Sequence, residues 1–167
     1  MNAFVPTVRP ERAEDASAVR ALLEAAFGGT VEADLVERLR ADGDLLLALV
    51  AEQTHVVGYV AFSRLVVEDG GHVHPAIALA PLAVAPALRR LGIGTALMRT
   101  GLGMFTNAGE VLVFVLGHPA YYARFGFSPA DGFASPYAGP HFMACRLAPY
   151  APTAGTVRYP RAFADLA

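Results

Sequence analysis

The sequence predicts an α/β (α+β) fold, in which a mixed, mostly antiparallel central sheet of about seven strands is flanked by about four helices. The length of 167 residues is that of one globular domain. The hydrophobic period gives the order strand, two helices, three strands, helix, strand, helix, two strands. Only one strand-helix-strand crossover occurs, so one parallel pair is expected among antiparallel ones. We therefore expect a single domain over residues 1–167, with a core at about 5–147 and an irregular tail at 148–167.

The N-terminal elements are a short strand and two helices. A β-prone run at residues 5–9 ends before a proline. Apolar residues then recur at helical spacing from Val19 to Phe27, and two glycines end this helix. Thr30 can cap a second helix, which ends by Gly43.

The middle of the chain changes to strand character. Residues 45–52 and 56–67 are joined by a short polar turn and predict an antiparallel hairpin. A third apolar run at 76–84 contains Pro81, which has no N–H to donate and so marks a bulge or an unpaired edge. A helix follows from Gly92.

The C-terminal elements alternate again. A continuous apolar run at 111–116 predicts a buried strand. Pro119 then favours the start of a short helix at 120–125. One strand follows from Phe127, and the last predicted strand lies at 141–147.

Composition excludes several classes of function. The net charge of −2 and the pI near 6.2 lack the basic footprint of a duplex-binding protein, so nucleic acid is not expected as a general partner. All thirteen basic residues are arginine. The absence of lysine excludes a P-loop lysine, a Schiff-base lysine and a lysine general base.

The cysteine, histidine and hydropathy patterns bear on the cellular location of the protein and on whether it binds a metal. Cys145 is the only cysteine, which excludes an intramolecular disulfide and a multi-thiolate zinc site and fits a reducing cytoplasm. His72 and His74 form a His-X-His pair without a convincing third ligand, so no metal is expected. Residues 1–10 show no signal peptide, and prolines interrupt the longest uncharged stretch, so we expect no membrane span.

The most informative segment is Arg-Arg-Leu-Gly-Ile-Gly-Thr at residues 89–95, between an apolar strand and an amphipathic helix. Glycines there allow close backbone approach, helix N-terminal amides lack intrahelical partners, and two arginines can bind phosphate bidentately. We call residues 89–95 the anion cradle. A dinucleotide fingerprint fails because Leu97 stands where its third glycine would fall. Tight packing with solvated arginines is the remaining structural alternative.

These residues carry a resemblance to a known family. Pro81 to Pro86, followed by Arg89 to Gly94, resembles the acetyl-CoA signature of the GNAT superfamily of N-acetyltransferases. The run Tyr-Tyr-Ala-Arg-Phe-Gly-Phe at 121–127 resembles the family's second hallmark, a short tyrosine-bearing helix that ends in Gly-Phe. Together with the preceding Gly-His-Pro-Ala, it is similar to the YhbS-like subgroup of predicted bacterial acetyltransferases.

The resemblance implies direct transfer of an acetyl group from acetyl-CoA to a primary amine of a small molecule or peptide. Tyr122 would protonate the departing thiolate, although a core aromatic is the alternative, and its neighbour Tyr121 would have a packing role. The resemblance also implies that the cofactor is bound by the backbone of the strand at 76–84 and by the anion cradle. Backbone groups of Leu82, Ala83 and Val84 would bind the pantetheine arm, and the pyrophosphate would be held by Arg89, Arg90, Gly92, Ile93, Gly94 and Thr95.

The sequence departs from the family at the general base, because the strand at 76–84 carries no glutamate. A water relay or His118 would remove the amine proton, and a loop histidine is the alternative for His118. A non-catalytic acyl-CoA-binding or regulatory module is therefore the competing function. Residues 11–44 carry a net charge of −5. These charges either attract a cationic amine or form a solvated helical face. A homodimer stays open as a further partner.

Overall fold

The computed structural model describes residues 6–166 and has a mixed sheet flanked by four α-helices. The N-terminal unit is β1 (Thr7–Pro10), α1 (Ala16–Phe27) and α2 (Val31–Asp42). Both helices end at a glycine in the left-handed conformation, Gly28 at φ +76° and Gly43 at φ +77°. The predicted strand and both helices are confirmed, although Val5 lies outside the described residues and the strand includes Pro10. Thr30 is the N-cap of α2, but its side chain makes no capping hydrogen bond.

The central strands are long. They are β2 (Leu45–Glu52), β3 (Val56–Asp69) and β4 (His72–Val84), each antiparallel to the next. α3 (Ile93–Asn107) then crosses over to β5 (Leu112–Leu116), which pairs with β4 in parallel. The predicted hairpin and crossover are confirmed.

The C-terminal part is built from shorter elements. α4 (Pro119–Tyr122) precedes three strands that follow along the chain: β6 (Ser128–Pro129), β7 (Phe133–Ala134) and β8 (Phe142–Arg146). Within the described residues the sheet order is β1-β2-β3-β4-β5-β8-β6.

The prediction that residues 148–167 form an irregular tail is wrong in one part. Residues Gly155–Arg158 form β9, which pairs antiparallel with Val66 to Glu68 of β3 and parallel with β7. A turn of 3₁₀ helix at Arg161–Leu166 follows. The strand is not visible as a periodic pattern because it is four residues long and depends on the edge of β3 that β2 leaves free beyond Ser63.

Buried side chains form one apolar layer on each face of the sheet. Phe62 and Leu97 belong to the layer beneath α3, where Gly101 lets the helix approach the Phe62 ring. Phe114 and Phe142 stack in parallel on the opposite face, with centroids 5.4 Å apart, and are covered by the C-terminal segment. The gap between β4 and β5 therefore lies between two packed layers.

Candidate active site

The anion cradle joins β4 to α3 through a turn with two left-handed residues. Arg90 has φ +66° and Gly92, the N-cap of α3, has φ +86°. The first helical hydrogen bond runs from the Ala96 amide to the Gly92 carbonyl, at 3.0 Å. The amides of residues 93–95 therefore lie before the helical ladder, where an anion can bind them.

Two adjoining cavities, which we call the cradle cavities, surround this turn. One has a volume of about 260 Å³ and is lined by Leu82, Ala83 and Val84 together with Arg89 and Arg90. The second, of about 340 Å³, is lined by residues 92–95 and also by Val84 and Arg90. All nine residues expected to bind the cofactor therefore line one cavity or both. Their contacts with a cofactor stay a prediction.

The edge of β4 is accessible next to these cavities. Val60 pairs with Leu82 and Phe62 with Leu79, so two residues of β4 oppose one residue of β3. This is the bulge predicted from Pro81. On the other side, the pairing of β4 with β5 ends at Leu79 and Val115, which leaves residues 80–84 without a strand partner there.

The cradle cavities are basic. Arg89 and Arg90 line them, no acidic residue does, and Arg124 reaches the second cavity from the segment after α4. The Arg124 guanidinium donates a hydrogen bond to the Thr95 hydroxyl at 3.0 Å and lies 5.3 Å from the centroid of the Tyr121 ring. Sequence reasoning missed Arg124, although the tyrosine motif that contains it was recognised.

Arg89 also has a structural contact. Its guanidinium donates a hydrogen bond of 3.2 Å to the carbonyl of Ala26, in the last turn of α1. A cation at a helix C-terminus is favourable because unpaired carbonyls collect there. The contact fixes α1 against the anion cradle, so that Phe27 lines the same cavity as Arg89.

The two tyrosines of α4 lie in different environments. Tyr121 lines both cradle cavities, and a Cβ added at Gly94 would lie 2.7 Å from its hydroxyl oxygen. The packing role expected for Tyr121 did not include this place in the cavity lining. Tyr122 is buried, with its ring against Gly117 and at right angles to the Tyr121 ring. Burial raises the pKa of both phenols, so both keep their proton at neutral pH.

Neither tyrosine hydroxyl has a hydrogen-bond partner among the described residues. The Tyr121 hydroxyl is therefore free to donate to a ligand in the cradle cavities, whereas Tyr122 lines neither of them. His118, the other residue expected to take part in catalysis, is exposed at the N-cap of α4 and lines neither cradle cavity. The structure thus brings the cofactor residues together with Tyr121, and leaves His118 outside the lining of both cavities.

The acidic charges of α1 and α2 are largely engaged by arginines. Arg20 alone bridges Glu24, Asp34 and Glu37, at 2.9 to 3.0 Å. Glu11 pairs with Arg40, and Asp15 with Arg9. At least five of the nine acidic groups between residues 11 and 44 are thus in ion pairs, which favours a structural role for them over attraction of a cationic acceptor.

Comparisons with known proteins agree with this geometry. Residues 7–130 match the family model of the acetyltransferase (GNAT) domain. The uncharacterized N-acetyltransferase YhbS of Escherichia coli is 42% identical over 125 residues, which are 74% of each chain. YjhQ of the same organism, also an uncharacterized N-acetyltransferase, is 39% identical over 132 residues, covering 74% of this chain and 71% of its own.

Solved structures give the same result. The crystal structure of YhbS from Escherichia coli in complex with CoA has a TM-score of 0.87 and 36% identity, covering 98% of this chain and 94% of that one. A GNAT acetyltransferase from Brucella melitensis in complex with acetyl-CoA has a TM-score of 0.82 and 34% identity, covering 97% and 99%.

The chain belongs to the GNAT family of acetyltransferases. The family resemblance, the fold class and the assignment to the acetyltransferases made from the sequence are thereby confirmed. In residues 6–166 no helix is both long enough and apolar enough to cross a membrane.

Proposed function

We propose that this protein is an acetyl-CoA-dependent N-acetyltransferase that transfers the acetyl group directly to a primary amine of a small molecule or peptide. One observation supports this most strongly. The basic anion cradle and the unpaired edge of β4 line the same pair of cavities. A ligand that carries both a pyrophosphate and an amide-containing arm can use the two features together.

The proposed chemistry requires few protein groups. The amine nitrogen forms a bond to the thioester carbonyl carbon, the carbon–sulfur bond breaks, and the products are an amide and CoA. A backbone amide of residues 82–84 would polarise the carbonyl. The amine loses one proton and the departing thiolate gains one, so the site needs a proton acceptor and a proton donor.

We assign the donor role to Tyr122, from its place in the family motif, with Tyr121 as the competing residue because it lines the cradle cavities. Since both phenols stay protonated at neutral pH, either can supply the proton. The proton acceptor is water or His118. A single free cysteine supports a cytoplasmic location.

The two tyrosines provide a matched test. Release of CoA thiol is followed with acetyl-CoA and a mixed panel of primary amines, and CoA affinity is measured by calorimetry. Tyr122→Phe should lower kcat by about 10² to 10⁴ and leave CoA affinity unchanged, because it removes only the hydroxyl. A comparable loss in Tyr121→Phe alone would transfer the donor role to Tyr121.

The same assay tests the proposed function. CoA binding without thiol release for any amine would overturn it and favour the competing acyl-CoA-binding module. His118→Ala should flatten the acidic limb of the pH profile if the imidazole is the base. If that limb is unchanged in the variant, the proton goes to water.

A further inference from the structure

A separate cavity opens at the place where β4 and β5 part. It has a volume of about 160 Å³ and lies between residues 78–80 of β4 and residues 114–116 of β5. Leu79 and Val115, the last paired residues, belong to the apolar layer beneath α3, whereas other wall residues belong to the opposite layer. The cavity, which we call the splay cavity, therefore lies where the gap between β4 and β5 connects the two faces of the sheet.

The C-terminal segment closes the splay cavity on the face away from α3. Tyr159, Phe163 and Leu166 line it there, together with Tyr137 from the preceding loop. The Tyr137 hydroxyl donates to the Phe163 carbonyl at 3.2 Å, and the Tyr137 and Tyr159 rings pack at right angles with centroids 5.0 Å apart. The Tyr137 phenol oxygen is thus engaged by the protein itself, and none of the ten lining residues is charged.

One residue that lines the splay cavity is unusually exposed for a leucine. Leu116 ends β5 and is 55% exposed, although its neighbours in the strand are buried. An exposed leucine at the mouth of an apolar cavity gains from contact with an apolar ligand, since burial of such a side chain is favourable. The lining therefore selects against charged groups and in favour of hydrocarbon.

We propose that the splay cavity binds an apolar, benzene-sized group on the acceptor, so that the substrates are primary amines of the 2-phenylethylamine type. This inference rests on the proposed N-acetyltransferase function. A cavity of about 150 Å³ with apolar walls is known to hold benzene, which matches the size found here. The acceptor's amino group would lie at the mouth, toward the edge of β4.

The position of the cavity favours the acceptor over the acyl chain as its occupant. The splay cavity shares no lining residue with the cradle cavities. It is closed by the C-terminal segment, whereas the cradle cavities are bordered by α1, α3 and α4. An amine must approach the thioester from a side that CoA does not occupy, and the gap between β4 and β5 provides that side.

Apolar walls also help with the missing base. Removal of an ammonium group from water disfavours its charged form, so the pKa of an amine held at the cavity mouth falls. A larger fraction of the acceptor is then neutral and nucleophilic before any protein group takes the proton. This reduces what a general base must do, and water or His118 takes the remaining proton in a site where residues 76–84 carry no glutamate.

The test measures kcat/KM for 2-phenylethylamine, ethanolamine and 1,4-diaminobutane with acetyl-CoA. We expect a preference of about 10- to 100-fold for 2-phenylethylamine. Leu116→Ala, at an exposed position, should reduce kcat/KM for that amine about fivefold and leave ethanolamine unchanged. Leu46→Ala, at the exposed position of β2, is the matched control and should change neither.

A second variant fills the cavity. Ala80→Leu should lower kcat/KM for 2-phenylethylamine at least tenfold more than kcat/KM for ethanolamine, because only the first amine needs the filled volume, whereas Ala41→Leu on the exposed face of α2 should be silent. Equal rates for all three amines, unaffected by either variant, would overturn the inference and leave the proposed function standing. If Ala80→Leu changed only the preference between acetyl-CoA and butanoyl-CoA, the occupant would be the acyl chain and the inference would be wrong. CoA binding without transfer to any amine would overturn both.

Discussion

Replacement of Gly92 by alanine tests the anion cradle. Gly92 has φ +86°, and a Cβ built there meets no atom within 4 Å. The cost is therefore backbone strain alone, about 1–2 kcal/mol for a residue with a side chain in the left-handed region. In a domain of this size 1 kcal/mol corresponds to about 2–4 °C, so we expect Tm to fall by about 2–8 °C.

The more informative effect is on ligand binding. The chain can relieve the strain by leaving the left-handed conformation, which would turn the amides of residues 93–95 and the two arginines away from a common anion. CoA at a hundredfold excess over its Kd stabilises the native protein by about 2.7 kcal/mol, or about 5–11 °C. We expect most of this increase in Tm to be lost in Gly92→Ala, with Kd raised at least tenfold by calorimetry.

Gly43 provides the matched control. It has φ +77°, its Cβ would also meet no atom within 4 Å, and it ends α2 at a position that lines none of the cradle cavities. Gly43→Ala should lower Tm by a similar amount and keep the full response to CoA. If Gly92→Ala keeps the wild-type response as well, the cradle turn does not bind CoA and the reasoning fails.

Three further outcomes follow from single contacts. Gly101→Ala would place a Cβ 2.6 Å from a phenylalanine ring of β3 and should lower the free energy of unfolding by about 1–3 kcal/mol. Gly103→Ala, in the same helix with open space around it, should raise it by about 0.5–1 kcal/mol in denaturant titrations. The arginine beside Asp15 lowers the pKa of the Asp15 carboxyl to about 2. The stability that this ion pair contributes is therefore present above about pH 4 and is lost as pH falls toward 2. Asp15→Asn should cost about 1–2 kcal/mol at pH 7, allowing for solvent screening, and unfolding curves of variant and wild type should converge near pH 2. Arg124→Met should raise the Kd for CoA about tenfold by calorimetry without lowering the Tm of the free protein, whereas Arg158→Met, which breaks an exposed ion pair on β9, should leave that Kd unchanged.

The sequence by itself was sufficient for features that depend on neighbouring residues. The helix ends at Gly28 and Gly43 and the bulge at Pro81 follow from local backbone chemistry, which few residues determine. The anion cradle belongs to the same class, because its glycines, arginines and helix start are consecutive. Its six expected residues, and the three at the end of β4 that come shortly before them, lie around adjoining cavities for that reason.

Only the tertiary structure decided which residues from distant segments meet. Arg124 reaches Thr95, and Tyr121 lies over Gly94, because α4 packs beside the start of α3. The splay cavity needs β4, β5 and a C-terminal segment that begins some forty residues after β5. The shape and polarity of a cavity depend on non-local packing, which no local pattern in the sequence encodes. The cofactor region could therefore be predicted from the sequence, whereas the apolar lining proposed to select the acceptor could be seen only after the chain was folded.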